Sequence, residues 1–345
     1  MRTVLSALVC LSIIVVAPIS IVSCNKPKLF KTIATEKKVG NLSKMDYDGK
    51  YYWFGSLFGG SSFKYDLKKN RFYEFDFNRG NVLEGVFDIE IVNKQPWFGL
   101  CTFGIAIFDY QINGFRYQNM DDGLAGYNNR GEKYSKVKAL TYDEFGKKVW
   151  AGTIYSGLSY YDLEKNKWFL VTEPMLKDAS IISIAVNKDI VAVGTNNGLV
   201  YLDRDKNQWY SCEDTLYKTW FNYVFIDNKL IFSCLNFRDE EQERDFGKVV
   251  SYNLDTKKFE VILEVDEGAD ALVKYDKYLV LCSNRGLTFY NLDTKKVKYI
   301  DESYGLVSNW ANYAYFDGDD LWVLTQHGIS KGKIKDILRE LKDID

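Results

Sequence analysis

Histidine is nearly missing: His327 is the one imidazole in 345 residues, which excludes catalytic and metal sites built on two histidines. Charge of one sign is missing too. The 45 basic and 47 acidic residues are interspersed and leave a net charge of -2, so no basic face for nucleic acid is expected. The six cysteines lack the close spacing of a disulfide or zinc framework. Cys101, Cys212, Cys234 and Cys282 are therefore read as buried free thiols, and no metal or cofactor is expected. Proline is scarce, with 4 residues against 25 glycines, while aromatics reach 16%. That balance fits pleated, half-buried surfaces and an all-β domain.

What is abundant is repetition. Tyr252-Asn253-Leu254-Asp255-Thr256-Lys257-Lys258 recurs unchanged as Tyr290 to Lys296, with weaker copies at Tyr65-Asp66-Leu67, Tyr161-Asp162-Leu163 and Tyr201-Leu202-Asp203. Each unit also carries an apolar triplet, ending in a small residue in its clearest forms at Trp150 and Ala192, with looser forms beginning at Trp53, Trp97, Ile231, Val280 and Trp322. A unit of roughly 40 to 50 residues holding four short strands is one blade of a β-propeller. Seven such units predict a seven-bladed ring over residues 28–345.

The seventh unit lacks its outermost strand, because Gly328-Ile329-Ser330 runs into Lys331-Gly332-Lys333 and a helical pattern. Lys28 to Ala34 alternates like a strand and is expected to close the ring there, removing an open edge. Ile334, Ile337, Leu338, Leu341 and Ile344 predict a short amphipathic C-terminal helix packed on the propeller's underside. The charged stretch Asn236 to Gly247 in unit five predicts a solvated hairpin, since it lacks the alternating spacing of a calcium loop.

The pattern Trp150-Ala151-Gly152-Thr153, Gly157-Leu158 and Tyr161-Asp162 carries a resemblance, as do Asp122-Gly123-Leu124 to Asn128 and Tyr304-Gly305-Leu306 to Asn309 ahead of new units. They resemble the two-component regulator propeller repeat. The resemblance implies a propeller of the kind found in the periplasmic sensor region of bacterial hybrid histidine kinases, recognising a small molecule or glycan fragment. No kinase or second transmembrane run follows the repeats in the sequence, so the expectation is a chain that binds without itself transmitting a signal.

At the N-terminus, Arg2 and an apolar run from Val4 to Val22 lead to Ile21-Val22-Ser23-Cys24, which resembles a bacterial lipoprotein leader. Residues 1–23 are then a signal peptide, Cys24 is lipidated, and 24–27 form the tether. The expected location is the bacterial cell envelope, lipid-anchored and facing the periplasm. An uncleaved transmembrane anchor or an ordinary secretory signal are the alternatives.

Loops between second and third strands and loops between blades share one face, where propellers carry function. The candidate ligand-binding residues there are Tyr155, Asn197, Arg285, His327, Arg130, Asn128, Trp220, Asn309 and Trp310, with Phe58, Phe103, Gln326 and Arg79 nearby in the same loops. Aromatic faces stack on sugars or peptides, while Asn and Arg give hydrogen bonds of fixed geometry. No catalytic residue is assigned. His327 alone does not supply the two-histidine arrangement of streptogramin-lyase propellers, and the Ser-x-Asp-x-Gly-x-Thr-Trp turn of sialidase propellers is missing. Asp121, Asp122, Asp266, Glu267 and Asp270 could pair as acid and base only if the fold brings two together. The leading expectation is a non-catalytic binding propeller. A structural adaptor of an envelope protein complex comes second, and a lyase or hydrolase third.

Overall fold

The computed structural model describes residues 26–345 except 58–59, 79–83, 130–131, 213–218 and 240–243. The stretch expected to be a leader, Cys24, Phe58, Arg79 and Arg130 lie outside the described residues, as does the side chain of Asn128. Seven four-stranded antiparallel sheets form the ring. Their innermost strands, in blade order, are Leu42–Tyr47, Val86–Val92, Val137–Asp143, Ile181–Val186, Phe221–Asp227, Ala271–Tyr275 and Ala311–Asp317.

The repeated Tyr-Asn/Asp motif is a turn device. In each copy the Asp or Asn side chain caps the turn between third and fourth strands. Asn253 Oδ1 accepts from the backbone N–H of Asp255 at 2.9 Å and of Thr256 at 3.0 Å. Asn291 accepts from Asp293 and Thr294, and Asp162 accepts from Glu164 and Lys165. A residue at positive φ then closes each turn, among them Asn70, Asn166, Asn207, Lys257 and Lys295. Local chemistry thus repeats the hairpin, and Tyr65, Tyr201, Tyr252 and Tyr290 are buried beneath it.

The core lies between blades. Trp53 of blade one packs its ring against Phe98 and Phe108 of blade two, with centroids 5.7 and 4.6 Å away. Trp322 of blade seven meets Tyr52 of blade one at 4.5 Å. The glycine that ends four of the triplets is explained by the same contact. A Cβ on Gly152 would stand 2.7 Å from Ile181 Cβ of the next blade, so the backbones could not approach as they do.

Closure follows the expected route. Phe30–Thr35 pairs antiparallel with Gly328–Lys333, from Phe30 opposite Gly332 to Thr35 opposite Gly328, and completes blade seven. A single helical turn, Glu36–Val39, which the sequence reading did not anticipate, then carries the chain toward the channel-lining strand of blade one. The C-terminal helix Ile334–Glu340 and the 3-10 turn Leu341–Ile344 bury Ile334, Ile337, Leu341 and Ile344 against blades six and seven. Thr294 Oγ1 donates to the Ile344 carbonyl at 2.5 Å, and the Tyr278 hydroxyl donates to Asp345.

Two local features account for the irregular spacing of the repeats. In blade five the second and third strands lengthen to Leu230–Asp239 and Arg244–Asn253, pairing out to Asp239 opposite Arg244, which is the charged hairpin expected there. Between blades two and three, Tyr127–Asn129 and Glu132–Tyr134 form an additional two-stranded sheet with Tyr127 and Tyr134 stacked at 5.5 Å. The sequence predicts only an inter-blade loop here. Cys101, Cys212, Cys234 and Cys282 are free thiols, and burial pushes Cys212 and Cys234 up to about 12, where they are inert.

Candidate functional site

The innermost strand of each blade has one face against its neighbours and one toward the axis. Side chains on the axial face define a central channel, which opens at its loop-bearing end into a cavity of about 670 Å³. Five of the seven inner strands carry a bulge near their start, between Leu42 and Lys44, Val86 and Asp88, Val137 and Ala139, Ile181 and Ser183, and Ala311 and Tyr313. Each bulge turns an additional residue to the axis. Ser43, Phe87, Lys138, Ile182 and Asn312 accordingly form an upper ring, joined by Asn222 of blade five. Blade five has a longer irregularity, from Asn222 to Phe225, and Tyr223 within it sits at φ 52°. An aromatic residue held in the left-handed region is strained, and such strain concentrates at ligand clamps and switches.

Below the upper ring the wall is charged on one side. Lys44 Nζ lies 3.3 Å from Asp88 Oδ1 and 4.6 Å from the centroid of Tyr313. Burial opposes its charge, but Asp88, Tyr313 and Tyr223 outweigh burial and raise its pKa. Asp88 is further held by the backbone N–H of Leu140 at 2.9 Å, on the next blade. Asp46 accepts from the N–H of Tyr47, the N–H of Ile91 and the hydroxyl of Tyr315. Burial nevertheless lifts it to about 6. Glu90 is pushed well above the usual carboxylate range by burial and then by Asp46 and Asp88. Asp46 and Asp88 therefore serve as stitches between blades, while burial and the neighbouring carboxylates bias Glu90 toward its neutral form.

Glu90 gives a test. Its folded pKa lies above the unfolded value of about 4.3, so the folded state binds the extra proton, and stability falls as pH rises from there toward the raised value. Glu90→Gln keeps the neutral shape and removes that loss. Melting temperatures should match wild type near pH 4.5 and exceed it at pH 7.5 by about 2–4 °C, the shift expected of ~1 kcal/mol in a domain of this size. A variant that is less stable at pH 7.5 would show that the carboxylate is ionised and paired.

At the mouth, Trp310 Nε1 donates to Asp270 Oδ2 at 2.8 Å, linking the loops ahead of blades six and seven. Burial lifts Asp270 to about 6, against the pull of this hydrogen bond. Trp310 is 45% exposed, so much of its ring is open to solvent. Gln326, Asn41 and Leu57 complete the mouth.

Of the rim residues named from sequence, Trp310 and Gln326 line the cavity and the other described ones stand outside it. Arg285 is paired with Glu267 at 3.0 Å, His327 with Glu36 at 2.8 Å, and Asn309 accepts from the Glu302 N–H to order its own loop. The Asn197 N–H donates to Thr195 Oγ1 within its hairpin. Tyr155, at φ 67°, and Trp220 project into solvent, 61% and 46% exposed. Among the loop carboxylates, Asp270 reaches the cavity, while Asp121 is paired with Lys133 and Asp122 caps the Asn119 turn. Lys44, Asp46, Asp88, Glu90, Lys138, Tyr223 and Tyr313 were not singled out from sequence. The available signal was charge inside a strand that should otherwise be buried, as in Ser43-Lys44-Met45-Asp46 and Phe87-Asp88-Ile89-Glu90.

No family model matches the chain. It is 26% identical over 279 residues, 75% of its length, to Histidine kinase P4 of Formosa agariphila, of which it spans 19%. In fold it is similar to the extracellular domains of the BT4673 and BT3049 proteins of B. thetaiotaomicron, both assigned to hybrid two-component systems. The TM-scores are 0.67 and 0.68, the identities 19% and 16%, with 88% and 89% of this chain and 40% and 42% of those chains covered. The chain is thus a seven-bladed propeller, and its repeats, its sequence relative and its fold neighbours all resemble the two-component regulator propeller.

Proposed function

We propose that the chain is a non-catalytic binding propeller of the bacterial cell envelope that takes a small molecule or glycan fragment at the loop-bearing mouth of its channel. The observation that carries the reading is the cavity of about 670 Å³ with an exposed Trp310 at its lip and Asn222, Asn312, Gln326 and Ser183 on its wall. That volume falls in the range of small-ligand sites, and a half-open indole beside amides is the composition that holds a sugar or a similar amphipathic body. The extracellular placement of the fold neighbours supports an envelope location, and Ser23-Cys24 supports lipid anchoring facing the periplasm.

The test is a thermal-shift screen of the full chain against glycans, sugar acids, peptides and nucleotides, since a ligand of the folded state stabilises it by mass action. At a hundredfold excess over Kd the stabilisation is about 2.7 kcal/mol. The expected result is a reproducible shift for one ligand class, reduced at least tenfold in affinity by Trp310→Ala. A screen without a shift, combined with co-purifying envelope proteins, would favour the adaptor.

A further inference from the structure

The channel mouth holds one lysine with no carboxylate in ion-pair contact among the described residues. Lys138 belongs to the upper ring on blade three, and its ammonium lies 4.8 Å from the centroid of Phe87 on blade two. Lys44, the other cation of the cavity wall, is bridged to Asp88. Among the described residues Lys138 has no carboxylate in ion-pair contact, and neither has Lys136, two positions earlier at the same strand start and 6.0 Å from the ring centroid of Tyr127. An enclosed ammonium without a counter-charge is unfavourable unless something else supplies that charge.

The other charged groups of the cavity leave this position open. Asp88 is occupied by Lys44 and the Leu140 N–H, Asp46 by three donors, and Asp270 by Trp310 across the mouth. Glu90 is biased toward its neutral form by burial and by Asp46 and Asp88. We infer that the cavity selects an anionic ligand, a sugar acid or another small polar molecule bearing a carboxylate or sulfate, and that Lys138 receives the anionic group. The inference rests on the cavity reading above and names the ligand class for that same site. Burial and then the like charge of Lys44 lower the pKa of Lys138 against a weaker pull from Asp88, so a bound anion would relieve the first two. The Asn222 amide and the Asn312 Oδ1, whose own amide N–H groups donate to Asn41 Oδ1 and the Leu42 carbonyl, line the same cavity and can serve the uncharged body of such a ligand.

The experiment is isothermal titration of the full chain at low ionic strength with three probes: D-glucuronate, D-glucose and sodium sulfate. Glucuronate is expected to bind at least tenfold more tightly than glucose, and to weaken at high salt as screening removes the attraction. Lys138→Gln should lose at least tenfold for glucuronate and leave glucose unchanged, while Lys138→Arg should retain binding. Sulfate bound as well as glucuronate, and lost in Lys138→Gln, would support the site and assign recognition to charge alone. Equal binding of glucose and glucuronate, wild-type affinity in Lys138→Gln, or no binding of glucuronate would overturn the inference. If glucose or another neutral ligand binds in a Trp310-dependent way while glucuronate does not, the anion inference fails and the cavity reading stands. If no ligand responds to Trp310→Ala, both fail.

Discussion

Deleting residues 30–35 should open the ring and lower the melting temperature by about 10 °C or more. The strand Phe30–Thr35 buries Phe30 and Ala34, at 6% and 5% exposure, and supplies the outer ladder of blade seven. Loss of one buried Phe alone costs about 3–5 kcal/mol, and ~1 kcal/mol moves the midpoint by about 2–4 °C in a domain of this size. The deletion also exposes the backbone edge of Gly328–Lys333, which invites pairing with another copy. Differential scanning calorimetry with light scattering reads both effects: a lower midpoint and the appearance of oligomers. A deletion variant that melts as wild type and stays monomeric would show that the other six blades hold the ring without the clasp.

Gly194→Val should be as damaging, for a reason internal to the ring. A Cβ there would run into the Phe221 carbonyl and approach Ser183 Oγ at 2.7 Å and Val224 Cγ2 at 2.8 Å, so the added atoms meet the inner strand of the next blade rather than a flexible tip. Overpacking against backbone costs about 1–3 kcal/mol and sometimes more. The expected outcome is a loss of about 3 kcal/mol in denaturant melts, with much of the protein insoluble. Gly114→Ala is the control, because its Cβ would find nothing nearer than 3.7 Å, and it should be close to neutral. Equal stability of Gly194→Val and Gly114→Ala would mean that the blades are not in close contact at this seam.

Sequence disclosed the ring because the ring is built from local chemistry. The Asn253 and Asn291 turn caps, the small residues at Gly152 and Gly194 and the alternation of Lys28 to Ala34 each leave a visible mark in a short window. The helical turn Glu36–Val39 and the hairpin at Tyr127–Tyr134 left weaker marks, since each is only a few residues long. The cavity was less legible still. Loop position identified Trp310, but whether Lys138 or Ala139 faces the axis depends on a bulge set by pairing with the second strand. A one-residue change of register reverses every side chain beyond it. Asn309 and Arg285 carried the right chemistry in the right loops, and yet their partners, Glu302 and Glu267, are close enough to occupy them.

The most direct measurement is a crystal structure of the chain bound to the strongest ligand of the thermal-shift screen. The account predicts ligand density inside the channel mouth, against Trp310 and within reach of the Asn222 and Asn312 amides, with the blades unmoved. Density on the far face of the ring or on a blade's outer edge, with the mouth filled only by solvent, would contradict it.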